Sequence, residues 1–290
     1  RIIAQKSFDR WYKKESIQYM DIIKNAWQGR LFFEEPTSPR PAIIFLSGSD
    51  GGIEKAQNIA MLLSNYGFVT MAISYFGMRK QPSNLNQIPI EIIEEALQYL
   101  KRLEFVDASN IGIYGRSKGA ELALLSLTKY SGLKCAVLNS PSDRVYEGIR
   151  GKMNAKHSSW TYEDKEVPYK PFRWIEVIKN KLFKIPMKDK TGIMELEKVK
   201  CPLLLISSFR DEVWNSFDAA MNILTKVNSL NKKLVLTTEL GHMNTISYLP
   251  NIRYNNRSDK IYWEAVVSWE STVSWFIEHL MKEFKTENVI

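Results

Sequence analysis

Short apolar runs alternate along this chain with stretches in which apolar residues recur every three or four positions. The runs AIIFLSG, FVTMAISY, IGIYG, CAVLNSP, CPLLLISS and KKLVLTTEL are short and largely apolar, and Gly, Pro, Asn or Ser often bounds them. They predict buried strands, and GRLFFEE predicts an earlier one that PTSPRP ends. Between them, EKAQNIAMLLSNYG places Ile59, Leu62 and Leu63 on one helical face and stops at Gly67. IEIIEEALQYLKRL, opened by Pro89, is amphipathic along its length. AELALLSLTKY, FDAAMNILTKVNS and the closing IYWEAVVSWESTVSWFIEHLMKEF also carry the helical period.

Strand and helix therefore alternate, which is the pattern of repeated β-α-β units. The expected architecture is α/β, a mostly parallel central sheet with helices on both faces, in a single domain over residues 1–290. Two stretches depart from it. Residues 142–200 lose the alternation and are aromatic and basic, so they are read as a cap or lid insertion. FDRWYKKESIQYMDIIKNAW, near the start, is read as helix or cap.

Composition narrows the function classes. With 44% hydrophobic and 25% charged residues among 290, the chain can bury a sizeable core. Its longest apolar runs, residues 42–46 and 201–206, are far too short to span a bilayer, so no membrane insertion is expected. No signal-peptide pattern opens the chain, and the expected compartment is cytoplasmic, although an Arg at position 1 is compatible with a removed leader or anchor. The two cysteines, Cys135 and Cys201, each open a strand-like run and read as small buried hydrophobes; a disulfide between neighbouring strands is the alternative. The net charge of +8 comes without a nucleic-acid module or a long basic run, so no nucleic-acid partner is expected. The three histidines lie far apart in sequence and form no His-x-x-x-His pair, which leaves no metal site. FLSGSDGG lacks the Lys-Ser/Thr ending of a phosphate loop, and no cofactor is implied. Nothing in the pattern sets an oligomeric state.

The chemistry centres on IGIYGRSKGAEL. A serine flanked by Gly115 and Gly119, after a strand and before a helix, has the form of a nucleophile elbow, with Ser117 as the nucleophile. A serine hydroxyl needs a base. Of His157, His242 and His279, only His242 directly follows the last predicted strand, where the order Ser, acid, His requires it. His279 lies deep in the closing helix and reads as a surface or packing residue. Asp211, shortly past the strand before, is the expected acid, with the adjacent Glu212 as alternative. The N–H groups of Lys118 and Ser49 are the expected oxyanion donors, Asp50 being the neighbouring choice for the second. All these positions fall at carboxyl ends of strands, where open α/β sheets keep their sites. His157, Trp160 and Trp214 are the expected substrate-binding side chains. Tyr162, Phe172 and Trp174 are further candidates for the pocket wall, with ordinary core as the other reading.

At these residues the chain resembles a known family. FLSGSDGGIEK, YGFVTMAISYFG, IPIEIIEEALQYL, IGIYGRSKGAELAL, KHSSW, CPLLLISSFRDEVWNS and GHMNTISYLP are similar to the C-terminal catalytic domain shared by acyl-CoA thioesterases and bile acid-CoA:amino acid N-acyltransferase. More loosely, they resemble dienelactone hydrolases. The resemblance implies an α/β-hydrolase fold, a serine hydrolase acting on an acyl-CoA or acyl ester, and Ser117, Asp211 and His242 at the positions of nucleophile, acid and base. The N-acyltransferase carries cysteine at the nucleophile position, so hydrolysis is favoured over amino-acid conjugation. Carboxylesterase, lactone hydrolase or acyltransferase on the same three residues is the alternative. About 40 residues precede the first buried strand, too few for the N-terminal β-sandwich of the family's larger members, so none is expected.

Overall fold

A computed structural model of the chain describes residues 12–35, 37–173, 190–243 and 259–281. In chain order the first half contains β1 (Ile17–Ile23), β2 (Gln28–Glu34), β3 (Arg40–Leu46), α1 (Glu54–Ser64), β4 (Val69–Ser74), β5 (Ile88–Pro89), α2 (Glu91–Lys101), β6 (Val106–Arg116) and α3 (Lys118–Lys129). There follow β7 (Ala136–Asn139), β8 (Glu147–Arg150), β9 (Met153–Ser158), β10 (Trp160–Tyr162) and β11 (Lys165–Glu166). The last are β12 (Leu203–Ser208), α4 (Ser216–Lys226), β13 (Lys232–Thr237) and α5 (Asp259–Leu280).

Among the described residues, eight strands form one sheet in the order β1-β2-β4-β3-β6-β7-β12-β13. β1 and β2 pair antiparallel, as do β2 and β4, and every later neighbour is parallel. β3 shows why a continuous apolar run suits this place. Ala42, Ile44 and Leu46 pack into one helical layer with α2, α3 and α4, while Ile43 and Phe45 pack into the other with α1 and α5. A strand buried on both faces has no solvent side and so no polar alternation. Because β3, β6, β12 and β13 run parallel, the loops that follow them emerge on one edge of the sheet, which gathers the candidate residues there.

Two expectations are corrected. The segment read as helix or cap contains β1, which pairs in register with β2 from Ile17 opposite Glu34 to Ile23 opposite Gln28. As an edge strand it buries only Ile17 and Ile22, so it shows no period-2 pattern. Pro89 does not open α2. It belongs to β5, which pairs with β10, and the helix begins at Glu91. Cys135 and Cys201 are both free thiols. Desolvation pushes both upward, Cys201 to about 12, as befits small apolar residues rather than reactive ones. Among the described residues, no helix is long and apolar enough to cross a membrane.

Within 142–200, the described residues form small ribbons rather than irregular coil. β8 and β9 make an antiparallel hairpin, and β11, β10 and β5 form a three-stranded sheet. A buried polar cluster fastens these ribbons to α3. The Trp160 side chain is fully buried, and its indole N–H donates to Glu121 Oε1 at 2.7 Å. Lys118 Nζ donates to Glu121 Oε1 at 2.9 Å, to Ser159 Oγ at 2.8 Å and to the Tyr146 carbonyl at 3.0 Å. Burial pushes the Lys118 ammonium down and the Glu121 carboxyl up, and each charge opposes the other's shift.

Breaking one side of a buried ion pair is costlier than replacing both sides. Glu121→Leu alone should therefore cost about 3–5 kcal/mol in urea unfolding, because it strands the Lys118 ammonium. Glu121→Leu combined with Lys118→Met should recover much of that loss. Equal destabilisation by the single and double variants would show that the pair's charge is not what holds this region.

Candidate active site

The turn between β6 and α3 is tight enough to dictate its sequence. Ser117 has φ 55° and ψ −121°, a left-handed conformation that a non-glycine residue rarely adopts. A Cβ on Gly115 would lie 2.7 Å from Ala120 Cα, and one on Gly119 would lie 2.7 Å from the Leu46 carbonyl oxygen. Neither position tolerates a side chain unless the backbone moves. The Ser117 N–H donates to the Asn139 carbonyl at 2.9 Å, which ties the turn to β7. Its hydroxyl is thereby presented at the N-terminus of α3, where the first N–H groups lack partners within the helix and the dipole favours negative charge.

Three residues distant in sequence meet there. His242 Nε2 lies 2.8 Å from Ser117 Oγ. His242 Nδ1 lies 2.9 and 3.0 Å from the two Asp211 carboxylate oxygens. A carboxylate can only accept, so Nδ1 carries the proton and Nε2 is left to accept from the serine hydroxyl. Asp211 is fixed in turn, because Oδ1 also accepts the N–H groups of Val213 and Trp214 at 3.0 and 3.1 Å. The His242 backbone is held on both sides: its N–H donates to Glu212 Oε2 at 2.7 Å, and its carbonyl accepts Ser140 Oγ at 2.7 Å. Glu212 therefore holds the main chain of His242 and leaves the imidazole to Asp211. The Trp214 ring meets the imidazole edge-on at 4.8 Å and stacks on Tyr146 at 5.5 Å.

A cavity of about 270 Å³ opens beside these groups. Gly48, Ser49 and Asp50, from the loop after β3, form one wall, and the β8–β9 hairpin contributes Ile149, Lys152 and Met153 to another. The loop is well pinned. The Tyr75 hydroxyl donates to the Ser47 carbonyl at 2.7 Å, and Gly51 and Gly52 take φ values of 69° and 67° that glycine allows. Asp50 pairs with Arg116 at 2.5 Å and with Lys55 at 2.7 Å, so an ion pair links this loop to the residue before Ser117.

Most of the sequence candidates border this cavity: Ser49, Ser117, Lys118, Phe172, Trp214 and His242 line it, and Asp211 stands behind His242. Others do not. The ring of His157, expected to face substrate, is 53% exposed and lies 3.2 Å from Glu166. Trp160 is committed to the buried cluster on Glu121, and Tyr162 packs against Tyr130. Both belong to the packing of the insertion, which the aromatic content alone does not distinguish from a pocket wall. Trp174 lies outside the described residues. His279 bonds the Trp275 carbonyl and Asn231, as a packing residue does. The Arg116–Asp50 pair and the backbone role of Glu212 had no sequence signal, since neither follows from spacing.

Residues 88–282 match the family model described as BAAT / Acyl-CoA thioester hydrolase C terminal. The chain is 24% identical over 266 residues to acyl-coenzyme A thioesterase 1 of Rattus norvegicus, a match covering 86% of this chain and 59% of that protein. It is 30% identical over 148 residues to bile acid-CoA:amino acid N-acyltransferase of Mus musculus, covering 49% of this chain and 35% of that one. The chain thus spans less than two thirds of the length of these curated relatives. Among solved structures, an α/β-hydrolase enzyme from a Medee basin deep-sea metagenome library superposes with a TM-score of 0.61 at 16% identity, over 92% of this chain and 99% of that one. At such identity the likeness is one of fold, and the fold is that of the α/β hydrolases.

The strain at Ser117 can be measured directly. Residues held in sparsely populated backbone regions cost about 1–3 kcal/mol, and glycine avoids most of that cost. Ser117→Gly should therefore be more stable than Ser117→Ala by about 1–3 kcal/mol in urea unfolding. A glycine variant less stable than the alanine variant would mean that the turn is relaxed.

Proposed function

The chain belongs to the BAAT / acyl-CoA thioester hydrolase C-terminal family, and from that premise we propose that it is a serine hydrolase cleaving an acyl thioester or ester through Ser117, His242 and Asp211. The observation that carries this reading is the continuous hydrogen-bond chain from Asp211 through His242 to Ser117 at a strained strand–helix turn. Ser117 Oγ attacks the acyl carbonyl while His242 Nε2 takes its proton. Asp211 keeps the imidazole in the required tautomer and offsets its charge once it is protonated. The developing oxyanion is held by the N–H groups of Lys118, at the start of α3, and of Ser49, in the loop that Tyr75 and the Asp50–Arg116 pair immobilise. His242 returns the proton to the departing thiol or alcohol, leaving an acyl group on Ser117. It then draws a proton from water, which attacks the acyl-enzyme, and returns that proton to Ser117 Oγ as the acyl–oxygen bond breaks and the acid is freed.

An acyl-CoA is the substrate best supported. Residues 142–200 carry 14 Lys and Arg against nine Asp and Glu, a net +5 within the chain's +8. The hairpin from this segment brings the exposed Lys152 to the cavity mouth. Phosphate groups of a leaving coenzyme would meet that charge. Transfer to an amine acceptor is the second reading, favoured by the likeness to the N-acyltransferase. Adding amines to the hydrolysis assay separates the two.

Ser117→Ala should abolish fluorophosphonate labelling and lower turnover by several orders of magnitude, with the fold intact by circular dichroism. Asp211→Asn should cost about 10⁴-fold in kcat through the wrong tautomer, and Glu212→Gln far less. The reverse order would make Glu212 the acid. KM for an acyl-CoA should rise as the screening length falls from about 30 Å at 0.01 M salt to about 8 Å at 0.15 M, while KM for a neutral p-nitrophenyl ester stays flat. Lys152→Ala should flatten the acyl-CoA curve. Flat curves for both substrates in the wild type would leave a neutral ester or lactone as the better substrate.

A further inference from the structure

We propose that Glu264, on the closing helix α5 and outside the cavity, is a positioning residue that sets His242 against Ser117 through the loop between them; the proposal rests on the serine-hydrolase reading above. That loop, residues 238–242, leaves the end of β13 and delivers His242. Three consecutive backbone N–H groups in it point at one carboxylate. Glu264 Oε1 accepts the Thr238 N–H at 2.9 Å and the Thr238 hydroxyl at 2.8 Å. Glu264 Oε2 accepts the N–H groups of Glu239 and Leu240 at 2.9 and 3.0 Å. Successive N–H groups converging in this way form an anion-binding nest, and here the chain fills the nest with its own side chain.

The neighbouring contacts show what the nest controls. The Leu240 carbonyl accepts Ser208 Oγ, which joins the loop to the end of β12, close to Asp211. Two residues on, the His242 main chain is taken by Glu212 and Ser140. Glu212, Ser140 and Ser208 all belong to loops or strand ends on the sheet edge. Glu264 alone of this set comes from α5, whose Trp269, Val273 and Phe276 are packed in the core. It references the loop to the helical layer. Burial alone would raise the Glu264 carboxyl, but the N–H bonds from Thr238, Glu239 and Leu240 outweigh it and hold the group below its ordinary range. The position asks for a charged acceptor. Glutamine has nearly the same shape but replaces one oxygen with an NH₂ that would face N–H donors.

A misplacement of about 1 Å far from the chemistry can cost about 100-fold in rate. With p-nitrophenyl ester as substrate, Glu264→Gln and Glu264→Ala should each lower kcat by roughly 10–100-fold and leave KM nearly unchanged. Acetate, small enough to enter the emptied nest, should restore part of the Glu264→Ala loss in a saturable way and do nothing for the wild type. Glu270→Gln, on the exposed face of the same helix, should behave as the wild type. Rates are taken per active site titrated with a fluorophosphonate, so unfolded protein does not enter. Wild-type kcat in Glu264→Gln, or a Glu264→Ala loss that acetate leaves untouched, overturns the proposal; if the alanine variant does not fold, the glutamine variant decides. Failure of the parent reading shows separately, as wild-type protein that takes no fluorophosphonate label.

Discussion

The backbone at Ser117, with φ 55° and ψ −121°, is a conformation that no isolated serine would hold. A cost of about 1–3 kcal/mol persists only where the surroundings over-determine it. They do so here from three directions. β6 enters from the middle of an eight-stranded sheet and is buried on both faces. The Ser117 N–H is taken by the Asn139 carbonyl of β7. α3 leaves immediately, and its first residue, Lys118, is fixed by Glu121, Ser159 and the Tyr146 carbonyl. The glycines at 115 and 119 are consequences of the same constraint, since the strand, the turn and the loop after β3 come too close for a Cβ. The direction of the Ser117 hydroxyl follows from these contacts.

Around that hydroxyl, four carboxylates do different work because they meet different donors. Asp211 meets an imidazole N–H and two backbone N–H groups. Glu212, its neighbour in sequence, meets the main chain of His242. Glu264 meets three backbone N–H groups and a hydroxyl one loop earlier. Asp50 meets two cations and joins the loop after β3 to the elbow. Under the proposed mechanism the first of these four meets the reacting imidazole; the other three hold the backbone segments on which the geometry depends. A carboxylate near a candidate site is thus identified by its donors rather than by its distance along the chain.

The sequence made the sheet legible wherever strands are buried on both faces, because such strands are apolar runs bounded by breakers, as β3, β4, β6 and β12 are. It also placed Ser117, Asp211 and His242 at strand ends, since each follows its run by only a few residues. It misread β1, an edge strand with two buried residues, because that strand carries no face-specific pattern. It left the aromatic residues of 142–200 divided between pocket wall and core: Phe172 lines the cavity, whereas Trp160 serves a buried polar cluster and Tyr162 packs against Tyr130. Glu264 was invisible because the loop it holds lies about two dozen positions earlier, and such contacts come from the packing of α5 across the sheet, not from local periodicity. The resemblance to the thioesterase family carried the same strand-end residues and was equally silent on Glu264.

The central claim is that an acyl group passes through Ser117. Rapid acid quenching during turnover of an acyl-CoA or a p-nitrophenyl ester, followed by intact-mass and peptide mass spectrometry, tests it most directly. The account predicts an adduct of the acyl mass, lost on longer incubation as water completes the reaction, and mapped to the peptide containing Ser117. Steady turnover with no adduct at any quench time under rate-limiting deacylation, or an adduct on another residue, would contradict it.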